Sequence, residues 1–274
     1  MAKRDGMLVG ASSVSLKGKD FGELDAAAGP FTARRSYDRE LLPASWAESV
    51  AGIDVGKRVS VWSCKPDLAQ LSGKKLDTRL REFVQSIPDS HAAFLTCWHE
   101  PDGKIRKGQF TLAEYLPAFR RFCEVVKSVG KPRVYTMQIV EAWSGQRPKK
   151  GTRYKDLWPG VGYVDLYAVD GYANTGSGRE LWGPAVEFAS SKDIPWGVAE
   201  LGCVHRIDTS WMKAQASYAA RTGAGADRER AAFLCWFSNP TGGVVPTPGT
   251  DPAARAAAKK ISEKYYTDPR SFVL

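Results

Sequence analysis

Eight short apolar segments recur along the chain, bounded mostly by Gly, Pro, Asn or Asp, and most are separated by enough residues for a helix. They are Met7–Ser12, Phe31–Ser36, Val59–Cys64, Ala93–Trp98, Arg133–Ile139, Val164–Asp170, Trp196–Glu200 and Ala232–Phe237. Their content of Val, Phe, Tyr, Trp, Ile and Leu is that of strands. Several are apolar at successive rather than alternate positions, Ala92-Ala93-Phe94-Leu95-Thr96-Cys97-Trp98 being the plainest. Both faces of such a strand must be covered, as in a parallel sheet clothed by helices.

The intervening segments supply those helices unevenly. Leu112, Leu116, Phe119, Phe122, Cys123 and Val126 sit at helical spacing behind Thr111, and Glu114 completes a capping box. Gly130 and Pro132 end that helix, while Pro117 inside it predicts a kink or a delayed start. Leu76–Val84, Glu180–Ser190, Ser210–Arg221 and Asp251–Tyr265 read as further helices, whereas Ser15–Gly29 reads mostly as loop. Eight such units in 274 residues, with no Pro/Ser-rich linker, predict one (β/α)₈ barrel over residues 1–274. A doubly wound open sheet is the alternative, but no Gly-rich phosphate fingerprint follows the first strand.

Composition narrows the functions. With 43% hydrophobic and 25% charged residues the chain is neither disordered nor fibrous. No apolar run approaches the ~18 residues of a membrane span. Lys3-Arg4 and Met7-Leu8-Val9 imitate the start of a secretory leader, but Lys17, Lys19, Asp20, Glu23 and Asp25 interrupt it. The expectation is a chain that acts in the cytoplasm, travels on a particle such as a phage tail, or is truncated from a secreted precursor. The five cysteines form no C-x-x-C pair and read as reduced, buried fillers. Only His91, His99 and His205 could join them at a metal, and Cys203-x-His205 lacks further ligands. No G-x-S-x-G elbow follows a strand, and Gly223-Ala224-Gly225-Ala226 lacks the G-K-[ST] ending of a phosphate loop. Neither a metal nor a cofactor is expected.

A barrel of this kind builds its active site at the C-terminal ends of its strands. The fourth ends Cys97-Trp98-His99-Glu100-Pro101-Asp102, the fifth Val140-Glu141-Ala142-Trp143 and the sixth Val169-Asp170-Gly171-Tyr172. The seventh ends Val198-Ala199-Glu200-Leu201-Gly202 and the eighth Cys235-Trp236-Phe237-Ser238-Asn239. Acids and aromatics therefore gather on one rim. Strands four and seven stand nearly opposite each other, so Glu100 and Glu200 can converge across the mouth. Two converging carboxylates are what glycosidic cleavage needs: one protonates the leaving oxygen, the other attacks the anomeric carbon or activates water. A pair ~5 Å apart retains configuration and one ~6.5–9.5 Å apart inverts it. Between His99 and Pro101, Glu100 is placed for the desolvation that raises a proton donor's pKa. Glu200 must stay ionised, and Tyr172, Arg34 and Arg35 lie at strand ends that could donate to it.

Trp98-His99-Glu100-Pro101, Asp165-Leu166-Tyr167-Ala168-Val169-Asp170-Gly171-Tyr172 and Ala199-Glu200-Leu201-Gly202 resemble the motifs of retaining glycoside hydrolases of clan A. The resemblance is closest to family 26, the β-mannanase-like group, and follows the element order of nearly the whole chain. It implies a cofactor-free endo-β-glycanase with Glu100 as acid/base and Glu200 as nucleophile. It further implies that His99 supports the glycone subsite, Tyr172 bonds the nucleophile and Trp236 stacks on sugar. Trp98 and Trp143 join the substrate-binding set; Asp170 either orients a sugar hydroxyl or caps its loop. Nine tryptophans exceed the needs of a core, so several should be exposed as sugar platforms.

Each assignment has a plainer rival. Glu100 could pair with Lys104 or Arg106, Glu200 with Arg206, and Arg34 with a surface acid; Trp143 and Trp236 could pack in the barrel. The net charge of +9 is either a solvated surface or an attraction for an acidic polysaccharide or nucleic acid. A non-catalytic carbohydrate-binding barrel is the remaining alternative.

Overall fold

The computed structural model describes residues 6–13, 19–38, 42–50, 56–173, 176–203, 206–221, 230–238 and 251–272. Asn239, His205, Lys3, Arg4, Lys17 and the Gly223–Ala226 stretch lie outside them. Eight parallel strands, β1 (Leu8–Ser13), β2 (Ala33–Asp38), β3 (Val59–Cys64), β4 (Ala93–Cys97), β5 (Val134–Glu141), β6 (Leu166–Tyr172), β7 (Trp196–Gly202) and β8 (Phe233–Ser238), pair in chain order. The ring closes through β8 and β1, from Leu8↔Phe233 to Ser13↔Ser238. The chain is thus a (β/α)₈ barrel, and the open sheet is excluded.

Alternation along each strand divides the apolar residues between two cores. Leu8, Ala33, Val59, Val61, Phe94, Met137, Ile139, Leu166, Ala168, Ala199, Phe233 and Cys235 fill the interior. Val9, Ala11, Trp62, Leu95, Val140, Val169, Val198, Leu234 and Trp236 point outward into the helix layer. At the N-terminal end Phe94 meets Tyr135, Phe233 and Phe272 at ring distances of 5.4, 5.2 and 5.9 Å, so the C-terminal segment plugs the barrel there.

Eleven helices surround the strands among the described residues. α1 (Lys19–Ala28) occupies most of the stretch read as loop. Phe21, Leu24 and Ala28 make a buried stripe at helical spacing, which the neighbouring glycines and charges obscure in the sequence. The next crossover carries a single turn, α2 (Trp46–Ser49). α3 (Leu68–Ser72) and α4 (Asp77–Gln85) follow β3, and α5 (Pro101–Arg106) follows β4. α6 (Leu112–Ser128) starts at the Thr111 cap, with both capping-box hydrogen bonds made. Pro117 does not delay it: the cap fixes the start, and burial of Tyr115, Phe119, Phe122 and Val126 carries the helix past the one lost N–H. α7 (Trp143–Gln146), α8 (Tyr154–Leu157), α9 (Gly178–Ser191), α10 (Thr209–Ala219) and α11 (Pro252–Lys264) complete the layer. All five cysteines are buried and unpaired, and no described helix is long and apolar enough to cross a membrane.

One glycine ties this packing to the mouth. A Cβ at Gly171 would stand 2.5 Å from the Trp182 ring, so β6 and α9 meet closely between Asp170 and Tyr172. Gly171→Ala is expected to destabilise the fold by about 1–3 kcal/mol and to lower the urea midpoint of the circular-dichroism transition. An unchanged midpoint would mean that Trp182 moves aside freely.

Candidate active site

The interior changes character toward the C-terminal rim. The inward positions of β2 run Ala33, Arg35, Tyr37, and those of β6 run Leu166, Ala168, Asp170, Tyr172. On β7 the register slips: Val169 pairs with Val198, but Asp170 pairs with Glu200. The extra residue is a β-bulge, and it puts Glu200 beside Asp170 instead of turning it into the helix layer. On β4 the chain leaves through two left-handed residues, Trp98 and Glu100, both at φ 54°. Each costs about 1–2 kcal/mol for a side chain with a Cβ. The Glu100 N–H is held by the Ile139 carbonyl at 3.0 Å, and Pro101 starts α5 where a missing N–H is harmless.

These devices bring three acids together. One carboxylate oxygen from each of Glu100, Asp170 and Glu200 lies within 4.8 Å of the others. Their surroundings differ. Glu200, 5% exposed, accepts from the Tyr37 hydroxyl at 2.6 Å and the Tyr172 hydroxyl at 2.8 Å, with the Arg35 guanidinium 3.6 Å away. Two phenols and a cation are what an ionised carboxylate needs. Burial, and then the charge of Glu200, push both phenols' pKa up, so they remain donors.

Glu100 is partly buried without such support. Burial foremost, then the charges of Glu200, Glu141 and Asp102, push its pKa up to about 8. Asp170 is buried, neither of its oxygens has a hydrogen-bond partner among the described residues, and burial with Glu200 and Glu100 raises its pKa strongly. The cluster therefore sets one acid whose hydrogen bonds suit a carboxylate beside two whose protonated forms are favoured by burial and neighbouring charge. It could ligate a hard cation only by giving up those protons and the Glu200 hydrogen bonds, so it fits proton transfer better than a metal.

Arg35, completely buried, also donates to the carbonyls of Ser36 and Val61 and to Ser63 Oγ at 2.9 Å. Ser63 Oγ in turn meets His99 Nδ1 at 3.1 Å. Burial first, then Arg35, Lys65 and Lys104, depress the His99 pKa, so the imidazole is neutral. A serine that accepts from Arg35 can give its proton to Nδ1, leaving Nε2 as the donor. The His99 ring lies 5.4 Å from Tyr37, and Phe237 meets Tyr172 edge-on at 6.1 Å.

Beneath Glu100, buried Asp102 accepts from the Ser144 hydroxyl and from the Glu141 N–H at 3.1 Å, tying α5 to β5 and α7. Burial and the charge of Glu141 raise it to about 7. Arg106 pairs with Glu141 and lies 3.6 Å over the Trp143 ring. Of the proposed rivals, Arg106 serves Glu141 and Asp102 and Glu200 is served by Arg35, whereas Lys104 does act on Glu100 through its charge, without an ion pair between them.

Several other expectations require correction. Arg34 points outward, 3.5 Å over the Phe21 ring of α1, because the inward positions of β2 are odd-numbered. Trp236 is 1% exposed in the outer core and offers no platform; Phe237, one residue on, takes the mouth. Trp98 packs on the outer core against Phe110 at 5.0 Å, and its indole donates to the Pro66 carbonyl at 2.6 Å. None of the nine tryptophans is exposed; Trp46, Trp62, Trp182, Trp196 and Trp236 are buried and the others are partly covered. Tyr37, Ser63 and Phe237 went unmarked in the sequence, and inward parity on β2, β3 and β8 is the signal that finds them.

In comparison with known proteins, no family model and no curated sequence matches the chain, whereas solved structures do. The catalytic domain of a family 26 endo-β-1,4-mannanase from Bacillus sp. JAMB-750 is 15% identical, with TM-score 0.65 over 96% of this chain and 87% of that one. A family 26 β-mannanase from Bacteroides ovatus is 14% identical, with TM-score 0.63 over 98% and 90%. A glucosidase from Croceicoccus marinus is 14% identical, with TM-score 0.66 over 97% and 69%. Likeness at this identity establishes the fold.

The acid cluster links stability to pH. Glu100 and Asp170 hold protons in the fold that the unfolded chain has released, so stability falls as pH rises from the ordinary carboxylate range to about 8. Glu100→Gln and Asp170→Asn should each flatten this slope and stabilise the protein by about 1–2 kcal/mol at pH 8. Thermal melts from pH 5 to 8 check this, and parallel curves for parent and variants would refute it.

Proposed function

We propose that this chain is a retaining glycoside hydrolase that cleaves a poly- or oligosaccharide by double displacement. The observation that carries the reading is the pairing of a protonated Glu100 with a hydrogen-bonded Glu200 whose carboxylate oxygens lie within 4.8 Å. That separation matches the ~5–5.5 Å of a nucleophile and acid/base rather than the ~6.5–9.5 Å that leaves room for water. Structural likeness to endo-mannanases and a glucosidase adds weight through the shared barrel.

In this reading Glu100 gives its proton to the leaving glycosidic oxygen while Glu200 attacks the anomeric carbon. Glu100, now ionised, takes a proton from the water that releases the sugar from Glu200. The phenols of Tyr37 and Tyr172 and the guanidinium of Arg35 aim Glu200 and hold its charge before attack and after release. Protonated Asp170 supplies a buried donor for a sugar hydroxyl, and neutral His99 supplies another.

Glu100→Gln should lower turnover of an unactivated glycan by about 10²–10⁴-fold, the share that a positioned acid provides. Glu200→Gln should abolish turnover while glycan binding persists. The rate should decline as pH rises through about 8, where Glu100 loses its proton, and NMR of the first-formed product should show the substrate's anomer. Unchanged hydrolysis in either variant would remove these residues from the reaction. Glycan binding by a parent protein that hydrolyses nothing would leave a carbohydrate-binding barrel.

A further inference from the structure

The mouth carries more positive charge than this chemistry uses. Arg35 faces Glu200 at 3.6 Å and its Nη1 donates to the backbone and serine around it, while its Nε and Nη2 have no hydrogen-bond partner among the described residues. Lys65 is less engaged still. It is the first residue after β3, partly buried, and it makes no hydrogen bond or ion pair with any described residue. Burial and Lys104 lower its pKa while Glu100 and Glu200 raise it, so its ammonium stands within the field of both glutamates. A half-buried cation without a hydrogen-bonded partner is unfavourable until something anionic arrives.

The rim beyond β5 and β6 shows the same excess. The loops leaving β5 and β6 enclose a cavity of about 880 Å³ whose walls include Trp143, Gln146, Arg147, Lys149 and Glu180. Such a volume lies within the ~300–1,000 Å³ of small-molecule sites. Arg147 and Lys149 are exposed and form no ion pair with a described residue, whereas Arg106, just behind Trp143, is bound to Glu141. This cavity shares no wall residue with the carboxylate cluster, but it lies on the same C-terminal face, because α7 and its Trp143 follow directly on β5. Cations without an ion pair to a described residue thus stand at the β3 end and on the β5–β6 loops of the carboxylates' own face, in a chain of net charge +9 whose field concentrates anions.

We propose that the glycan taken by this site is anionic. Carboxylate or phosphate substituents on sugars to either side of the scissile bond pair with Lys65 on the β3 flank and with Arg147 and Lys149 on the β5–β6 flank. The inference rests on the glycosidase reading and adds the substrate class to it.

The test uses the full chain in two inactive backgrounds, Glu200→Gln and Glu100→Gln, titrated calorimetrically. One pair of probes is β-1,4-polymannuronate and its carboxyl-reduced counterpart, β-1,4-mannan; the other is phosphomannan and its dephosphorylated form. The charged member of at least one pair is expected to bind tenfold or more tightly than its neutral twin at low salt. Lys65→Gln/Arg147→Gln/Lys149→Gln is expected to erase that preference with neutral binding unchanged and the melting temperature not lowered. The pair that shows the preference identifies the group. Equal binding within both pairs, no binding to any probe, a preference that survives the triple substitution, or polyuridylate binding as tightly as the charged glycans would each overturn the proposal. The two readings fail separately. Charge preference without hydrolysis by the parent enzyme removes the glycosidase and leaves the anionic site. Hydrolysis of mannan as fast as the charged polymers does the reverse.

Discussion

One fully buried guanidinium facing a cluster of three acids, two buried and one partly buried, is the constraint on which the mouth depends. Arg35 cannot neutralise Glu100, Asp170 and Glu200 together, and water is too scarce there to screen what remains. The structure resolves the shortage by geometry. Arg35 and both phenols converge on Glu200 alone, which leaves its neighbours to keep their protons. The division of labour between a proton donor and an anionic attacker thus follows from who reaches Arg35, rather than from any difference in residue type. It also explains why the backbone around Arg35 is so heavily engaged: a guanidinium fixed by the carbonyls of Ser36 and Val61 cannot swing to serve a second acid.

The barrel was legible in the sequence because eight apolar strands at βα spacing leave few ways to cover both faces. The motif ends of β4, β6 and β7 were legible because a barrel's chemistry has a fixed address. What was not legible was direction. Arg34 and Arg35 are the same residue type one position apart, yet one stacks on a helix and the other supports Glu200. Trp236 and Phe237 divide in the same way between core and mouth. Assigning inward parity from Ala33 and Cys235, small residues suited to a crowded interior, would have settled both. Alternation breaks down at β7, where the bulge turns Glu200 inward and the extra residue, Ala199, is neither a glycine nor a proline. Helix α1 was hidden for a compositional reason: three buried residues among charges and glycines are enough when a barrel face waits to be covered.

Strain at the rim has a supporting structure. Trp98 and Glu100 take left-handed backbone on either side of His99, a conformation that short polar or glycine residues adopt more cheaply. The indole of Trp98, anchored on Pro66 and Phe110, and the Asp102 carboxylate, bound to Ser144 and the Glu141 N–H, brace the two ends of this kink. Trp98 is thus bound up with the site through the backbone it holds, although its ring faces away from the mouth. Motif matching alone cannot separate a side chain that touches substrate from one that fixes the turn presenting its neighbour.

The unfavourable terms collect at one end of the barrel and the favourable ones at the other. The three clustered acids, the left-handed backbone and a Lys65 with no hydrogen bond or ion pair to a described residue all lie at the C-terminal rim. Below them the interior is apolar down to the aromatic plug of Phe94, Tyr135, Phe233 and Phe272. Because the strands are continuous, the burial won in the lower tiers fixes the backbone on which the upper tiers are strung. A carboxylate at the top of β6 or β7 can relax only by moving a strand already locked beneath it. That rigidity keeps like charges within 4.8 Å of one another when repulsion would separate them on a flexible loop. The rim can be electrostatically poor because the floor is well packed, and the same poverty prepares it for a ligand that brings its own hydroxyls and charges.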